Sequence, residues 1–264
     1  MKFRTATLIL LVLIVLASGG CAKKGETVTL AGSTAFQPFA ERLAEEYMAA
    51  RNGTTVTVQG GGSAVGIGAA LSGAAQVGMA DLVALPAEAA SLTAVVVARD
   101  GIVVVVNPSN PVSGLGMAQV RDVFSGKLGT WKALGGPDKP ITVVSREAGS
   151  GTRSSFEKIV GGISLVKEAV IQDSNGTIRE TVANDANAIG YLSHGLLNDR
   201  IKALPVDGVP ATMAAMVSGA YPLVRPVYFL TKAEPSAAVR AFVDYVLSPA
   251  GQKIIADNGL IPAK

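Results

Sequence analysis

Three short clusters of Gly, Ser and Thr carry the groups best suited to hold an anion: Gly32-Ser33-Thr34-Ala35-Phe36, Gly61-Gly62-Ser63 and Gly149-Ser150-Gly151-Thr152. Each follows a predicted strand and precedes a predicted helix. The first N–H groups of a helix lack internal partners, and the helix dipole makes that end positive. Small residues let the backbone come close to an oxyanion there. The hydroxyls of Ser33, Thr34, Ser63, Ser150 and Thr152 can add donors. Arg146 precedes the third cluster, and its guanidinium suits two oxygens of one tetrahedral anion. Asp81 closes another strand. Taken singly, each cluster reads as a helix cap, Arg146 as a surface partner of Glu147, and Asp81 as a turn residue. Three clusters in one chain with an arginine beside the last point to a site.

The elements around them alternate. Strands are expected at Thr27–Leu30, Thr54–Val58 and Gln76–Ala80. The helices between them carry Phe36, Phe39, Leu43, Tyr47 and Met48 at helical spacing, then Ala64–Leu71. Strand-helix alternation is the mark of parallel βαβ units. Val95–Val97 and Ile102–Val106 are apolar runs of the kind buried on both faces of a sheet. After Asn107-Pro108-Ser109-Asn110-Pro111 a second α/β segment begins. It has a helix at Met117–Phe124, a strand at Ile141–Val144, and helices near Ser154–Val160 and Ser164–Ile171. A helix start at Thr177–Ala183 and a short strand at Ala188–Tyr191 follow. A proline-interrupted strand at Tyr221–Leu230 precedes helices at Ser236–Leu247 and Pro249–Asn258.

Composition sets the class. Of 264 residues, 49% are hydrophobic, 16% are charged and 30 are glycine. That profile excludes intrinsic disorder, and a single cysteine, Cys21, excludes a disulfide scaffold. A net charge of +3 without long basic runs gives no support to nucleic-acid binding. Lys2 and Arg4 precede an apolar run, Leu8–Ala17, which is too short to span a bilayer and has the layout of a signal peptide. Ser18-Gly19-Gly20 leads into Cys21, as in the lipobox of bacterial lipoproteins, with Ser18 where that motif has Leu. Residues 1–20 are expected to be removed, Cys21 to be acylated, and 21–26 to form a tether. Loss of Lys2 and Arg4 leaves a charge of +1.

The ordered set of motifs resembles the phosphate-binding lipoproteins of bacterial phosphate ABC transporters, the PstS family of type II periplasmic binding proteins. It comprises Gly32-Ser33-Thr34-Ala35-Phe36-Gln37-Pro38, Gln59–Ser63, Gly78-Met79-Ala80-Asp81, Arg99-Asp100-Gly101-Ile102 and Val106-Asn107-Pro108. Phe124-Ser125-Gly126-Lys127, Trp131, Ser145–Arg153 and Asn184–Tyr191 complete it. The resemblance implies an α/β fold of two lobes joined by two crossing strands, with the ligand cleft between them. The crossings are expected near Val103–Asn107 and Val224–Tyr228. Lobe one is then 27–104 plus 227–264, and lobe two is 105–226. It further implies that phosphate is bound by Thr34, Ala35, Phe36, Ser63, Asp81, Arg146, Ser150, Gly151 and Thr152, with Ser33 in support. Ala35 stands where relatives often carry a hydroxyl, so only its backbone can donate.

The implied role is capture of inorganic phosphate outside the cytoplasm and delivery to a membrane ABC permease by a lipid-anchored monomer. No enzymatic step, cofactor, metal or nucleic acid enters. The alternatives keep the fold with sulfate, molybdate or tungstate as ligand, or make the chain a phosphate sensor. A secreted serine hydrolase would need His194, the only histidine, as its base, and no Gly-x-Ser-x-Gly elbow is present. A nucleotide enzyme lacks its phosphate loop, because Leu128 follows Gly126-Lys127.

Overall fold

The computed structural model describes residues 26–51 and 53–263. The expected signal peptide, Cys21 and most of the tether lie outside these residues. Strands β1 (Glu26–Gly32), β2 (Thr54–Gln59) and β3 (Val77–Ala80) are parallel neighbours. They are linked by α1 (Gln37–Ala50) and α2 (Ser63–Ser72) as βαβ units. Pro38 sits in the first turn of α1, where its missing N–H costs nothing.

β4 (Thr93–Val106) is one continuous 14-residue strand rather than two separate runs. The sequence suggests a break at Arg99-Asp100-Gly101, but the polar residues stay in the ladder because Asp100 faces Arg225 on β9 (Val224–Thr231). β4 pairs antiparallel with β9 from Thr93 to Gly101, then with β7 (Ala188–Ser193) from Ile102 to Val106. This handover at Gly101/Ile102 joins two halves of a curled sheet. One half runs β2-β1-β3-β9-β4. The other runs from β4 through β7 and β5 (Thr142–Arg146) to β6 (Val170–Gln172).

Each half has its own core. Val28, Leu30, Phe39, Tyr47, Phe229 and Phe242 pack in the first, and Val103–Val106, Phe124, Trp131, Phe156 and Tyr191 in the second. The run Ile102–Val106 is fully buried, as its unbroken apolar character requires.

In the second half, α3 (Met117–Phe124), α4 (Gly151–Val160), α5 (Asn175–Asn184) and a short α6 (Met213–Val217) cover the sheet. The helix expected at Ser164–Ile171 does not form. Val166 donates its N–H to the Phe124 carbonyl at 3.0 Å, and Val170-Ile171 then joins β5 as an edge strand. Two β-branched residues at a free sheet edge outweigh a weak helical spacing. α7 (Ala237–Leu247) and α8 (Pro249–Asp257) return to the first half, and β10 (Ile261–Pro262) ends against β4. The two-residue β8 (Lys202–Ala203) also pairs with β4.

Candidate functional site

The three Gly/Ser/Thr clusters meet where the two halves face each other. Cluster one follows β1, cluster two opens α2, and cluster three opens α4, so all lie at strand ends in the place where open α/β sheets bind ligands. Their approach is close. Ala64 donates its N–H to the Gly149 carbonyl at 3.1 Å, tying the second cluster to the third. Gly62 has φ of +90°, and a Cβ there would lie 2.9 Å from the Gly149 carbonyl oxygen. Gly151 is tighter still: a Cβ would stand 2.1 Å from Ser63 Oγ and 2.5 Å from Asp81 Oδ1. Neither position accepts a side chain without moving its neighbours.

Asp81 is the hub. It is 1% exposed, and its carboxylate accepts from groups on both sides of the cleft. Ser63 Oγ donates to Oδ1 at 2.6 Å, Thr152 Oγ1 donates to Oδ2 at 3.2 Å, and Arg225 Nη2 reaches Oδ2 at 2.6 Å. Its backbone is held as well. The Asp81 N–H donates to Ser63 Oγ at 3.1 Å, and Ser155 Oγ donates to the Asp81 carbonyl at 3.1 Å.

Arg146 is also buried, at 1% of its side chain, but its partner Glu147 is 31% exposed. Nε and Nη2 both donate to the Glu147 carboxylate at 2.9 Å, and also to the Gln172 and Asp173 carbonyls. Nη1 is buried with no hydrogen-bond partner among the described residues. The pairing with Glu147 that the sequence permits does form, with the arginine buried and the glutamate partly exposed. A buried guanidinium N–H left unpaired costs on the order of 1–3 kcal/mol or more, and Arg225 Nε is left without a partner in the same way.

The remaining expected residues fall around this centre. Ser33 and Phe36 form a local turn in which the Phe36 N–H donates to Ser33 Oγ at 3.1 Å. The Phe36 ring packs edge-on against Phe229, with centroids 5.9 Å apart. Ser33 and Ala35 are buried, and Thr34 Oγ1 accepts from Asn175 Nδ2 across the cleft at 3.3 Å. Ser150 caps α4, its Oγ accepting the Arg153 N–H at 3.2 Å, so the hydroxyl proton stays free for another acceptor. Ser63 and Gly151 are the first residues of α2 and α4, and Thr152 is the second of α4, positions whose N–H groups have no intrahelical acceptor. Beneath the third cluster Tyr191 stacks on Phe156 at 4.1 Å and shares a 2.8 Å bond with Ser145; burial pushes its phenol up to about 12. His194, half-buried, has Nδ1 2.9 Å from the Gly259 carbonyl oxygen, which occupies the nitrogen nearest the chain.

Four residues without a role in the sequence reading belong to the same construction: Arg225, Asp100, Ser193 and Asn175, all at most 2% exposed. Arg225 Nη2 reaches Asp100 Oδ2 at 2.9 Å, and Ser193 Oγ donates to Asp100 Oδ1 at 2.8 Å. Burial pushes the Asp100 carboxyl upward, and Arg225 opposes that shift. A charged residue inside an otherwise apolar strand was the available signal, since such residues are buried only when paired.

Residues 18–250 match the model of the PBP superfamily domain. The phosphate-binding protein PstS of Bacillus subtilis is 35% identical over 248 residues, covering 92% of this chain and 83% of that protein. The fold overlays a phosphate ABC transporter substrate-binding protein with bound phosphate from Clostridium perfringens with a TM-score of 0.88 and 38% identity, over 90% of this chain and all of that one. An ABC-type phosphate transport receptor from Vibrio cholerae overlays with a TM-score of 0.75 and 32% identity, over 89% and 99% of the two chains.

Proposed function

We propose that this chain, which belongs to the PstS family of phosphate-binding proteins, captures inorganic phosphate outside the cytoplasm and hands it to an ABC permease. The observation that carries the reading is the meeting of three anion-suited loops, a buried arginine with a free Nη1 and a buried carboxylate at one point between two lobes. The lobes are taken as 27–104 plus 227–264 and 105–226; two separate cores support a two-lobed division, with Ile102–Val104 packing in the core of the second. Helix-start N–H groups at Ser63, Gly151 and Thr152, the backbone around Thr34–Phe36, and the Ser63, Ser150 and Thr152 hydroxyls supply donors. Arg146 supplies the charge.

Asp81 decides which anion fits. Hydrogen phosphate carries a proton to donate, whereas sulfate at neutral pH has only bare oxygens. A buried carboxylate gains a hydrogen bond from the first and repels the second, a mismatch of about 1–3 kcal/mol or more. Sites built on such complementarity discriminate by roughly 10⁴-fold. Binding turns the Ser63 and Thr152 hydroxyls from Asp81 toward the anion, and phosphate's own O–H donates a hydrogen bond to the carboxylate in their place. Contacts such as Ala64 to Gly149 and Asn175 to Thr34 already span the cleft, so an anion that adds to them favours the closed form over the open one. The permease then reads that closed form. No bond is made or broken in the ligand.

The finer statement of place is that the chain is a monomer held at the outer face of the cytoplasmic membrane, or in the periplasm, by a lipid on Cys21. The apolar run and small-residue site before that cysteine support it. A thermal-shift series with phosphate, sulfate and molybdate tests the ligand, because a ligand of the folded state raises the midpoint in proportion to the logarithm of its concentration. Phosphate is expected to give the largest rise, and a rise with sulfate but not phosphate contradicts the reading.

A further inference from the structure

Asp81 is gripped from the hinge side by a cation that none of the three loops contributes. Arg225 lies on β9 directly across the ladder from Asp100 on β4, one step before β4 changes its partner from β9 to β7. Its Nη2 stands 2.6 Å from Asp81 Oδ2 and 2.9 Å from Asp100 Oδ2, and its Nη1 donates to the Asp81 carbonyl at 3.3 Å. From Asp100 the connection continues through Ser193 Oγ on β7. The Ser193 N–H donates to Asn175 Oδ1 at 3.1 Å, and Asn175 Nδ2 reaches Thr34 Oγ1. The circuit Asp81–Arg225–Asp100–Ser193–Asn175–Thr34 thus leaves the first lobe through both crossing strands, enters the second, and returns to the first cluster.

A buried ion network of this kind is a poor source of stability, since apolar residues of equal volume often serve as well or better. Its geometry suits a different purpose. We propose that Arg225 is a positioning and specificity residue for Asp81, holding the carboxylate as a fixed, charged acceptor toward the anion by a grip anchored on Asp100 at the strand crossing.

The inference rests on the reading of Asp81 as the acceptor of phosphate's proton. Rejection of sulfate requires a carboxylate that neither turns away nor becomes a donor. A planar guanidinium resists the first by binding Asp81 at two places, a side-chain oxygen and the backbone carbonyl. Its positive charge offsets the second, because two buried carboxylates sharing a site without a cation take up a proton between them. A neutral acid at position 81 would donate to sulfate, and the discrimination would be lost.

The test compares phosphate and sulfate affinity by calorimetry in the wild type, Arg225→Gln, Arg225→Lys and Arg225→Lys/Asp100→Asn. Arg225→Gln is expected to lower the phosphate-over-sulfate ratio by about tenfold or more, the scale of one charge-assisted hydrogen bond. Lysine supplies the charge as a single point that two carboxylates must share, so Arg225→Lys is expected to lower the ratio by about threefold. Removing the competing carboxylate in Arg225→Lys/Asp100→Asn is expected to restore it. An Arg225→Gln protein that melts earlier but keeps the ratio of the wild type overturns the inference. Where Arg225→Gln does not fold, the lysine pair decides: recovery in the double variant supports the positioning role, and an unchanged ratio in Arg225→Lys overturns it. A wild type that binds neither anion overturns the phosphate reading and this one with it. A wild type that prefers phosphate, with variants that do the same, overturns this one alone.

Discussion

Two arginines, Arg146 and Arg225, are buried to the same degree, and they differ in almost everything else. Arg146 leans on one carboxylate, Glu147, which is itself nearly a third exposed, and it keeps Nη1 without a partner among the described residues. Arg225 sits between two carboxylates that are both at most 2% exposed, on strands that cross between the lobes. The first is a charge incompletely answered at the edge of a cleft. The second is answered twice over, from Asp81 and from Asp100. Burial alone therefore does not separate the two roles proposed for them. The partners do: Arg146 donates to one partly exposed carboxylate, whereas Nη2 of Arg225 reaches two buried ones, and each arginine keeps one buried N–H, Nη1 in Arg146 and Nε in Arg225, without a partner among the described residues.

Breaking each arginine in turn separates the two roles. The largest expected effect is on stability. Arg225→Gln leaves Asp81 and Asp100 facing each other without a cation, and removing one partner of a buried ion pair costs about 3–5 kcal/mol. Chemical denaturation reads this as a lowered midpoint at unchanged slope. Arg146→Met is expected to cost clearly less in the same measurement, because Glu147 can turn to solvent. Equal losses would remove the distinction. The next effect is on binding. Arg146→Met is expected to weaken phosphate by about 100-fold, equivalent to about 2.7 kcal/mol, by calorimetry. Its phosphate-over-sulfate ratio should stay close to that of the wild type, since a cation serves either anion. A ratio that collapses in Arg146→Met and survives in Arg225→Gln would reverse the assignment.

The same contrast explains which parts of the molecule were readable from sequence. Cluster loops are local: a strand, a Gly/Ser/Thr turn and a helix start lie within a few residues, and α3 forms over Met117–Phe124 as its apolar spacing predicts. Arg146 and Glu147 are adjacent, so their pairing could be foreseen, although its burial could not. Arg225 and Asp100 are 125 positions apart, and only the antiparallel ladder of β9 on β4 brings them opposite each other. No local pattern encodes that register. A lone charge in an apolar strand gives the one hint, and it does not say which partner answers it. The failed helix at Ser164–Ile171 has the same origin. Its fate depends on a free edge of β5 that the local spacing does not contain, and a β-strand of only three residues is enough to take it.

The role proposed for Asp81 is to choose the anion by accepting a hydrogen bond from a proton that phosphate has and sulfate lacks. Its most direct test is calorimetric titration of the wild type and Asp81→Asn with both anions at neutral pH. The amide keeps the size of the side chain and can donate as well as accept, so the preference of the wild type for phosphate should shrink by about 100-fold or more, chiefly through stronger sulfate binding. A phosphate-over-sulfate ratio that is the same in the two proteins would contradict the account.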